Sequence, residues 1–268
     1  MTAATIAIPK PASRSRLSWA ISDSTAIAAR NLVTLRRLPQ LLIFATIQPV
    51  IFVLMFRYVF GGAINVPGVS YVDYLMPGIF VQTVTFGAMS TGVGLADDLR
   101  TGLIERFRSL PMARSAVLAG RTSADLVRNV FVVMLMLIVG VMVGFRPDST
   151  VVQFTAGIAI VLLFAFALSW IFALVGMSAR NAEAAQAMSF PIIAPLVFAS
   201  SAFVPVDSMP GWLQGFASNQ PVSVTVDAVR GLMLGGADAG DIVASVLWSI
   251  GLIAVFAPLA VRRYRRAA

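Results

Sequence analysis

Few kinds of side chain in this sequence can do chemistry. It has no Cys and no His, which removes thiolate nucleophiles, disulfides, imidazole bases and most transition-metal sites. Its one lysine is Lys10, so a G-x-x-x-x-G-K-[ST] phosphate loop cannot form. The acids are Asp23, Asp73, Asp97, Asp98, Glu105, Asp125, Asp148, Glu183, Asp207, Asp227, Asp238 and Asp241. Nearly all fall at the ends of apolar runs or between them. None is expected deep in a run, where a proton-coupled carrier or an intramembrane metalloprotease would keep one. No set of residues reads as catalytic, and ATP-driven work would need a separate chain to hydrolyse the ATP.

The arginines, by contrast, are gathered. Asp97 to Arg128, DDLRTGLIERFRSLPMARSAVLAGRTSADLVR, is a long polar insertion between two apolar runs and carries Arg100, Arg106, Arg108, Arg114, Arg121 and Arg128. Leu99, Leu103, Phe107 and Leu110 recur at helical spacing and Pro111 closes the segment. This predicts a short helix with one apolar face and with Glu105, Arg106 and Arg108 pointing elsewhere. Two readings stand: a docking element for a partner, or a basic loop that obeys the positive-inside rule and nothing more. Arg114, Arg121, Asp125 and Arg128 follow at sevens and fours on one helix face. That stripe either meets a partner or closes locally through Arg121 and Asp125, a pair worth only about 0.3–0.5 kcal/mol if exposed.

Within the apolar runs the polar residues are Gln48, Gln82, Thr83, Thr85, Ser90 and Thr91. The Ser and Thr hydroxyls suit helix packing or bonding back to the preceding turn. Phe80, Gln82, Thr83 and Phe86 can alternatively line a mostly apolar substrate path with a few polar anchors.

The elements that would position these residues are set by composition. A mean hydropathy of +0.86, with 58% hydrophobic and 12% charged residues, is far from the roughly 25% charge of soluble domains. The chain reads as an all-α integral membrane protein. Its net charge of +8 sits at the ends of apolar runs, where it sets topology, so nucleic acid is not the expected partner. Residues 1–16 read as disordered, without the pattern of a signal peptide. Leu17, Ile21, Ala28, Leu32 and Leu35 then share a helical arc opposite Asp23, Arg30 and Arg37, while Trp19 and Ile27 stray from it. This segment, 17–38, is an amphipathic helix at the membrane surface or an ordinary juxtamembrane helix.

Six apolar runs follow, at about 40–60, 74–96, 126–145, 151–176, 187–204 and 241–261, each near the roughly 20 residues that cross the hydrocarbon. Pro191 and Pro195 predict a kink or break in the fifth, and Pro77 falls within about the first turn of the second. Placing both termini in the cytoplasm leaves only Arg57, Arg146 and Arg230 outside, as the positive-inside rule demands. The segment from Pro205 to Gly240 is then external. Its MPGWLQGF and VTVDAVRGLML stretches read as short interfacial helices or a re-entrant hairpin, with a partial seventh crossing as the competing arrangement.

Three stretches carry a family likeness: YLMPGIFVQTVTFGAMSTG, GLIERFRSLPMARSAVLAGR, and SARNAEAAQAMSFPIIAPLVFASSAFVPVDSMPGWLQGFASNQPVSVTVDAVRGLMLG. With the six-span plan they make the chain resemble, from about Leu17 onward, the membrane subunits of ABC-2 type exporters, in particular the daunorubicin-resistance DrrB-like permeases. The resemblance implies an ABCG-like (type V) transmembrane domain over 39–262. An N-terminal connecting helix over 17–38 precedes it, a cytoplasmic coupling loop over 97–125 holds a coupling helix at about 100–110, an external hairpin spans 205–240, and a basic tail covers 263–268. It places Glu105, Arg106, Arg108 and Ser109 on the coupling helix and Arg114 and Arg121 at the start of the third span. It also implies two copies of the chain, each docked on a cytoplasmic nucleotide-binding subunit that holds the ATP and Mg.

The expected function is therefore export, across the plasma membrane, of lipophilic or amphipathic compounds such as an antibiotic, with the outer hairpin as gate. The likeness fits a lipid, polyketide or glycolipid equally well. Two other classes stay in view: a membrane scaffold that binds a cytoplasmic partner without moving a solute, and a proton-driven carrier, which the missing buried carboxylate disfavours.

Overall fold

The structure, a computed structural model, describes residues 25, 27–29, 39–64, 66, 68–102 and 114–267. Among these residues every regular element is a helix. We label the helices α1 (Pro39–Leu54, running into a π turn at Met55–Phe60), α2 (Tyr71–Arg100), α3 (Arg114–Val143), α4 (Val151–Ser178), α5 (Ala182–Phe198), α6 (Gly211–Asn219), α7 (Pro221–Leu234) and α8 (Ala239–Ala267).

Four of these helices contain apolar segments long enough to cross a membrane: Tyr71–Arg100, Leu118–Val143, Val151–Ser178 and Ala239–Tyr264. They correspond to the second, third, fourth and sixth expected runs. The first and fifth appear as the shorter apolar helices Thr46–Phe60 and Ala182–Phe198. At 1.5 Å per residue the 17 residues of α5 reach about 25 Å, short of a 30 Å hydrocarbon core. Pro191 and Pro195 lie inside this one continuous helix, so of the kink or break expected there the break does not form.

The helix starts follow their caps. Ser70 accepts from the Asp73 backbone N–H at 3.2 Å, so α2 begins at Tyr71, earlier than the apolar run suggests. Pro77 therefore falls in the second turn rather than the first. Asp73 lies in the first turn of α2, where the helix dipole favours it, and accepts the Arg146 backbone N–H at 2.8 Å. Thr150 and Gln153 form a reciprocal capping box at the start of α4. Replacing Thr150 by alanine should cost about 1 kcal/mol. The melting temperature of the detergent-solubilised protein should fall by about 2–4 °C, and an unchanged value would mean the cap contributes nothing.

Helices α2 and α4 form the centre. Around them pack α3, α5, α7 and α8, with α1 against α2 and α3. The axis pair meets at glycines: a Cβ on Gly92 would lie 2.5 Å from the Phe172 carbonyl oxygen, and one on Gly176 would lie 2.7 Å from both the Cα and the carbonyl carbon of Gly92. A large core, including Phe80, Phe145, Phe164, Ile193 and Val226, fills the Tyr71 end. A smaller one, with Ile27, Leu95, Leu118, Trp170 and Tyr264, fills the Arg100 end. Ile27, off the arc expected to be apolar, is buried here because its neighbours are protein side chains. Leu247, Val243 and Val255 of α8 are exposed apolar residues, as a lipid-facing surface requires.

The 205–240 segment folds as a 3-10 turn at Val206–Ser208 followed by α6 and α7. The two stretches expected to be short helices are short helices, and neither is a crossing helix by length. α6 exposes Trp212, while α7 buries Val222, Val226, Val229 and Met233.

Candidate functional site

Of the residues expected to dock a partner, Glu105, Arg106, Arg108 and Ser109 lie outside the described residues. Arg114 is the first residue of α3, its side chain likewise outside them. Arg121 is described, and it opens onto a polar seam between α2 and α3, the two helices that flank the 101–113 connection.

The seam grows from complementary spacing. On α2, Gly87, Ser90, Thr91, Gly94 and Asp98 recur every three or four residues; on α3, Arg121, Asp125, Arg128 and Asn129 do the same. Arg121 pairs with Asp98 across the helices, and both are largely shielded from solvent. Gly94 makes this possible, since a Cβ there would run into the Arg121 guanidinium. Two turns further in, Arg128 pairs with Asp125 at 3.5 Å, and Thr91 donates to the same carboxylate at 2.5 Å. The Arg128 guanidinium also donates to the Gly87 carbonyl at 2.7 Å and to Ser90. Two arginines face two aspartates, so the seam is neutral.

Two expectations are corrected here. The local Arg121–Asp125 pair does not form: Arg121 takes Asp98 of α2 and Asp125 takes Arg128. An arginine four residues before its acid is the weaker order on a helix, and a carboxylate from the neighbouring helix displaces it. The second correction is Asp125 itself, a carboxylate that is 8% exposed and lies within the apolar Leu118–Val143 segment. Its charge is tolerated there because it is paired and hydrogen-bonded. The Nε of Arg121 and Nδ2 of Asn129 are buried donors without a partner among the described residues, so the seam holds spare hydrogen-bonding capacity. Chemically the arrangement ties two long helices into one mechanical unit at the mouth of the connecting loop.

The four candidate path residues lie on α2. Phe80 is fully buried and packs edge-on against Phe145 at 6.1 Å. Gln82 and Thr83 are buried too, with Gln82 Oε1 and Thr83 Oγ1 lacking a partner among the described residues. Phe86 is half-buried. Thr85 bonds back to the Val81 carbonyl at 2.7 Å and Ser90 to that of Gly87 at 2.7 Å, the packing use of such hydroxyls.

A second polar cluster, at the Tyr71 end, escaped the reading of the residues. Arg230 of α7 donates to the Tyr74 carbonyl at 3.2 Å, to Asp227 at 2.7 Å and to the Ser201 carbonyl at 2.7 Å. Its guanidinium carbon stands 3.7 Å from the centre of the Tyr74 ring. The signal was present as Asp227 and Arg230, three residues apart in the otherwise apolar VTVDAVRGLML, but periodicity alone does not show what a charge on a short helix will face.

Comparison with known proteins agrees with this architecture. Residues 24–234 match the family described as ABC-2 type transporter. The chain is 36% identical over 246 residues to the daunorubicin resistance ABC transporter permease protein DrrB1 of Streptomyces coeruleorubidus, covering 92% of this chain and 87% of that one. It is 28% identical over 225 residues to the probable doxorubicin resistance ABC transporter permease protein DrrC of Mycobacterium tuberculosis, covering 83% and 81%. It is 25% identical over 214 residues to the putative transport permease ycf38 of Porphyra purpurea, covering 78% and 73%. With a match over most of its length and a relative this similar, the chain belongs to the ABC-2 type transporter family, as a multi-pass membrane permease subunit that relies on a separate ATP-binding subunit.

Proposed function

We propose that this permease exports lipophilic or amphipathic drugs from the cytoplasm, using displacement of a coupling helix at about 100–110 by its ATP-binding partner. The observation that carries the reading is the α2–α3 seam. A push on the loop between two helices moves them together only if they are fastened, and the contacts of Arg121 with Asp98, of Thr91 with Asp125 and of Arg128 with Gly87 and Ser90 fasten them. The drug class is supported by the names of the two resistance permeases to which the chain is similar. A lipid, polyketide or glycolipid is the second candidate, since Thr85, Ser90 and Thr91 of α2 already hold partners, leaving Gln82 and Thr83 as its few directional groups toward a substrate.

In this arrangement α1 and α5 complete six spans. Both termini are cytoplasmic, in keeping with the positive-inside rule, and the Arg100 end of α2 faces the ATP-binding subunit. The 17–38 segment serves as the connecting helix, and Glu105, Arg106, Arg108, Ser109, Arg114 and Arg121 make the coupling face. Phe80, Gln82, Thr83 and Phe86 belong to the path, and a second copy of the chain completes the transporter. The Tyr71 end, with the 205–240 hairpin, is then the outer gate.

The test is ATPase activity of the chain co-purified with its ATP-binding subunit in lipid nanodiscs, with and without a panel of lipophilic drugs. Glu105→Ala and Arg106→Ala should each reduce drug-stimulated activity several-fold while leaving membrane insertion and complex formation intact, because coupling requires contacts that differ between the two states. Full stimulation in both variants would remove the coupling assignment. A complex whose activity is flat across the panel would favour the scaffold reading.

A further inference from the structure

We propose that Arg230 is a positioning residue for export: from α7 it pins the 200–204 segment to the Tyr71 end of α2, and the path opens on that side only when these contacts part. The proposal rests on reading that end as the outer face.

The geometry joins three elements through one side chain. All three guanidinium nitrogens are engaged, one with the α2 backbone at Tyr74, one with Asp227 on α7 and one with the Ser201 carbonyl. The planar group lies against the Tyr74 ring, a stacking that suits Arg better than Lys. The joined elements are cross-linked again by their own groups. Ser201 Oγ donates to Asp227 at 2.7 Å, Tyr74 Oη to the Ser201 carbonyl at 3.0 Å, and Tyr71 Oη to the Phe203 carbonyl at 3.0 Å. Gly78 lets the segment lie directly on α2, since a Cβ there would be 2.7 Å from both the Cα and the carbonyl carbon of Ala202.

Two features make this a clamp. α7 already buries Val222, Val226, Val229 and Met233, so its place in the bundle does not depend on Arg230. The 200–204 segment packs Ala202 and Phe203 into the core, and its remaining contacts with α2 and α7 are polar, at Tyr71, Tyr74, Ser223, Asp227 and Arg230. Such contacts are directional, and at the membrane surface water can replace them when the segment lifts. Asp227 balances the charge of Arg230, so removing Asp227 leaves a largely shielded guanidinium without its counter-ion.

The sequence offers a clean probe, because it has no Cys. Ser200 is fully buried, and Ser200→Cys places a masked thiol in the segment that would lift. In complexes with the ATP-binding subunit, Arg230→Gln should raise the rate of modification of this thiol by a membrane-impermeant maleimide about tenfold without nucleotide, a gap that corresponds to about 1.4 kcal/mol of closing free energy. Arg230→Lys should restore only part of the protection. A thiol at buried Ser169 of α4 should stay protected, separating an opened gate from a loosened fold. If Arg230→Gln does not insert, Asp227→Asn removes the counter-charge of Arg230 and Tyr74→Phe removes the Tyr74 hydroxyl bond to the Ser201 carbonyl, and each should give a smaller increase. Protection of the Ser200→Cys thiol within twofold of the parent in the inserted variants overturns the proposal. Intact cells test orientation separately: a thiol modified only after permeabilisation places the Tyr71 end inside and overturns the gate reading with its side.

Discussion

Replacing Gly92 by valine is expected to lower the amount of folded, detergent-soluble protein about tenfold or more, which corresponds to a loss of at least ~1.4 kcal/mol. α2 and α4 are the two helices on which the others pack, and at Gly92 they touch through main-chain atoms. A Cβ at this position would stand 2.5 Å from the Phe172 carbonyl oxygen, 3.3 Å from its carbonyl carbon and 3.5 Å from the Gly176 nitrogen. Side chains can rotate away from an intruding methyl group; backbone inside two long helices cannot, so the helices must separate. Overpacking a core typically costs about 1–3 kcal/mol, and the branched side chain lies at the upper end or beyond. In a membrane the penalty is not offset by a hydrophobic drive to reassociate, since lipid solvates separated apolar helices as well as they solvate each other.

The matched control is Gly251→Ala on α8, where nothing lies within 4 Å of the added Cβ. Alanine there should leave the yield unchanged or raise it, because glycine in a helix interior is less favourable by roughly 1 kcal/mol. Size-exclusion profiles of the two variants, compared with the parent, decide the matter. A monodisperse Gly92→Val protein at parental yield would mean that the α2–α4 contact does not hold the bundle together.

How much of this was legible in the sequence depended on the kind of signal. Long apolar runs bounded by arginines announce membrane helices without any partner being known, and α2, α4 and α8 follow those runs closely, while α3 begins about three turns before its run. Helix starts were less legible, because Ser70 and its bond to the Asp73 N–H extend α2 beyond the apolar run. The polar stripe on α3 was visible at Arg121, Asp125 and Arg128, yet its partner was not. Spacing shows which residues share a helix face, and the face opposite belongs to another part of the chain. On α2 that face consists of Asp98 and of Gly87, Ser90, Thr91 and Gly94, the last four carrying little chemical signal until Arg121 and Arg128 are laid against them. Arg230 was read as a leftover external charge for the same reason. Only the fold brings Tyr74 and Ser201 to it across 156 and 29 positions.

Asp125→Ala should destabilise the permease by about 3 kcal/mol or more, the cost of removing one member of a buried pair. Arg128 would retain the Gly87 carbonyl and Ser90 but lose its counter-charge in a site where both side chains are only 12–13% exposed. Thr91 would lose the acceptor it now holds at 2.5 Å. Asp125→Asn keeps the shape and one acceptor and should cost less. The informative variant is the double replacement Asp125→Leu, Arg128→Leu. Buried pairs exchanged for apolar residues of similar volume are often neutral in stability, so the melting temperature should return most of the way to that of the parent. Drug-stimulated ATPase activity of the complex should not return with it. Leucines on the two positions pack α3 against α2 without the directional bonds from Arg128 to Gly87 and from Thr91 to Asp125 that fix the register of the helices. A double variant that recovered both stability and stimulated activity would mean that the inner pair only fills space, leaving transmission along the hairpin to Arg121 and Asp98 at its mouth.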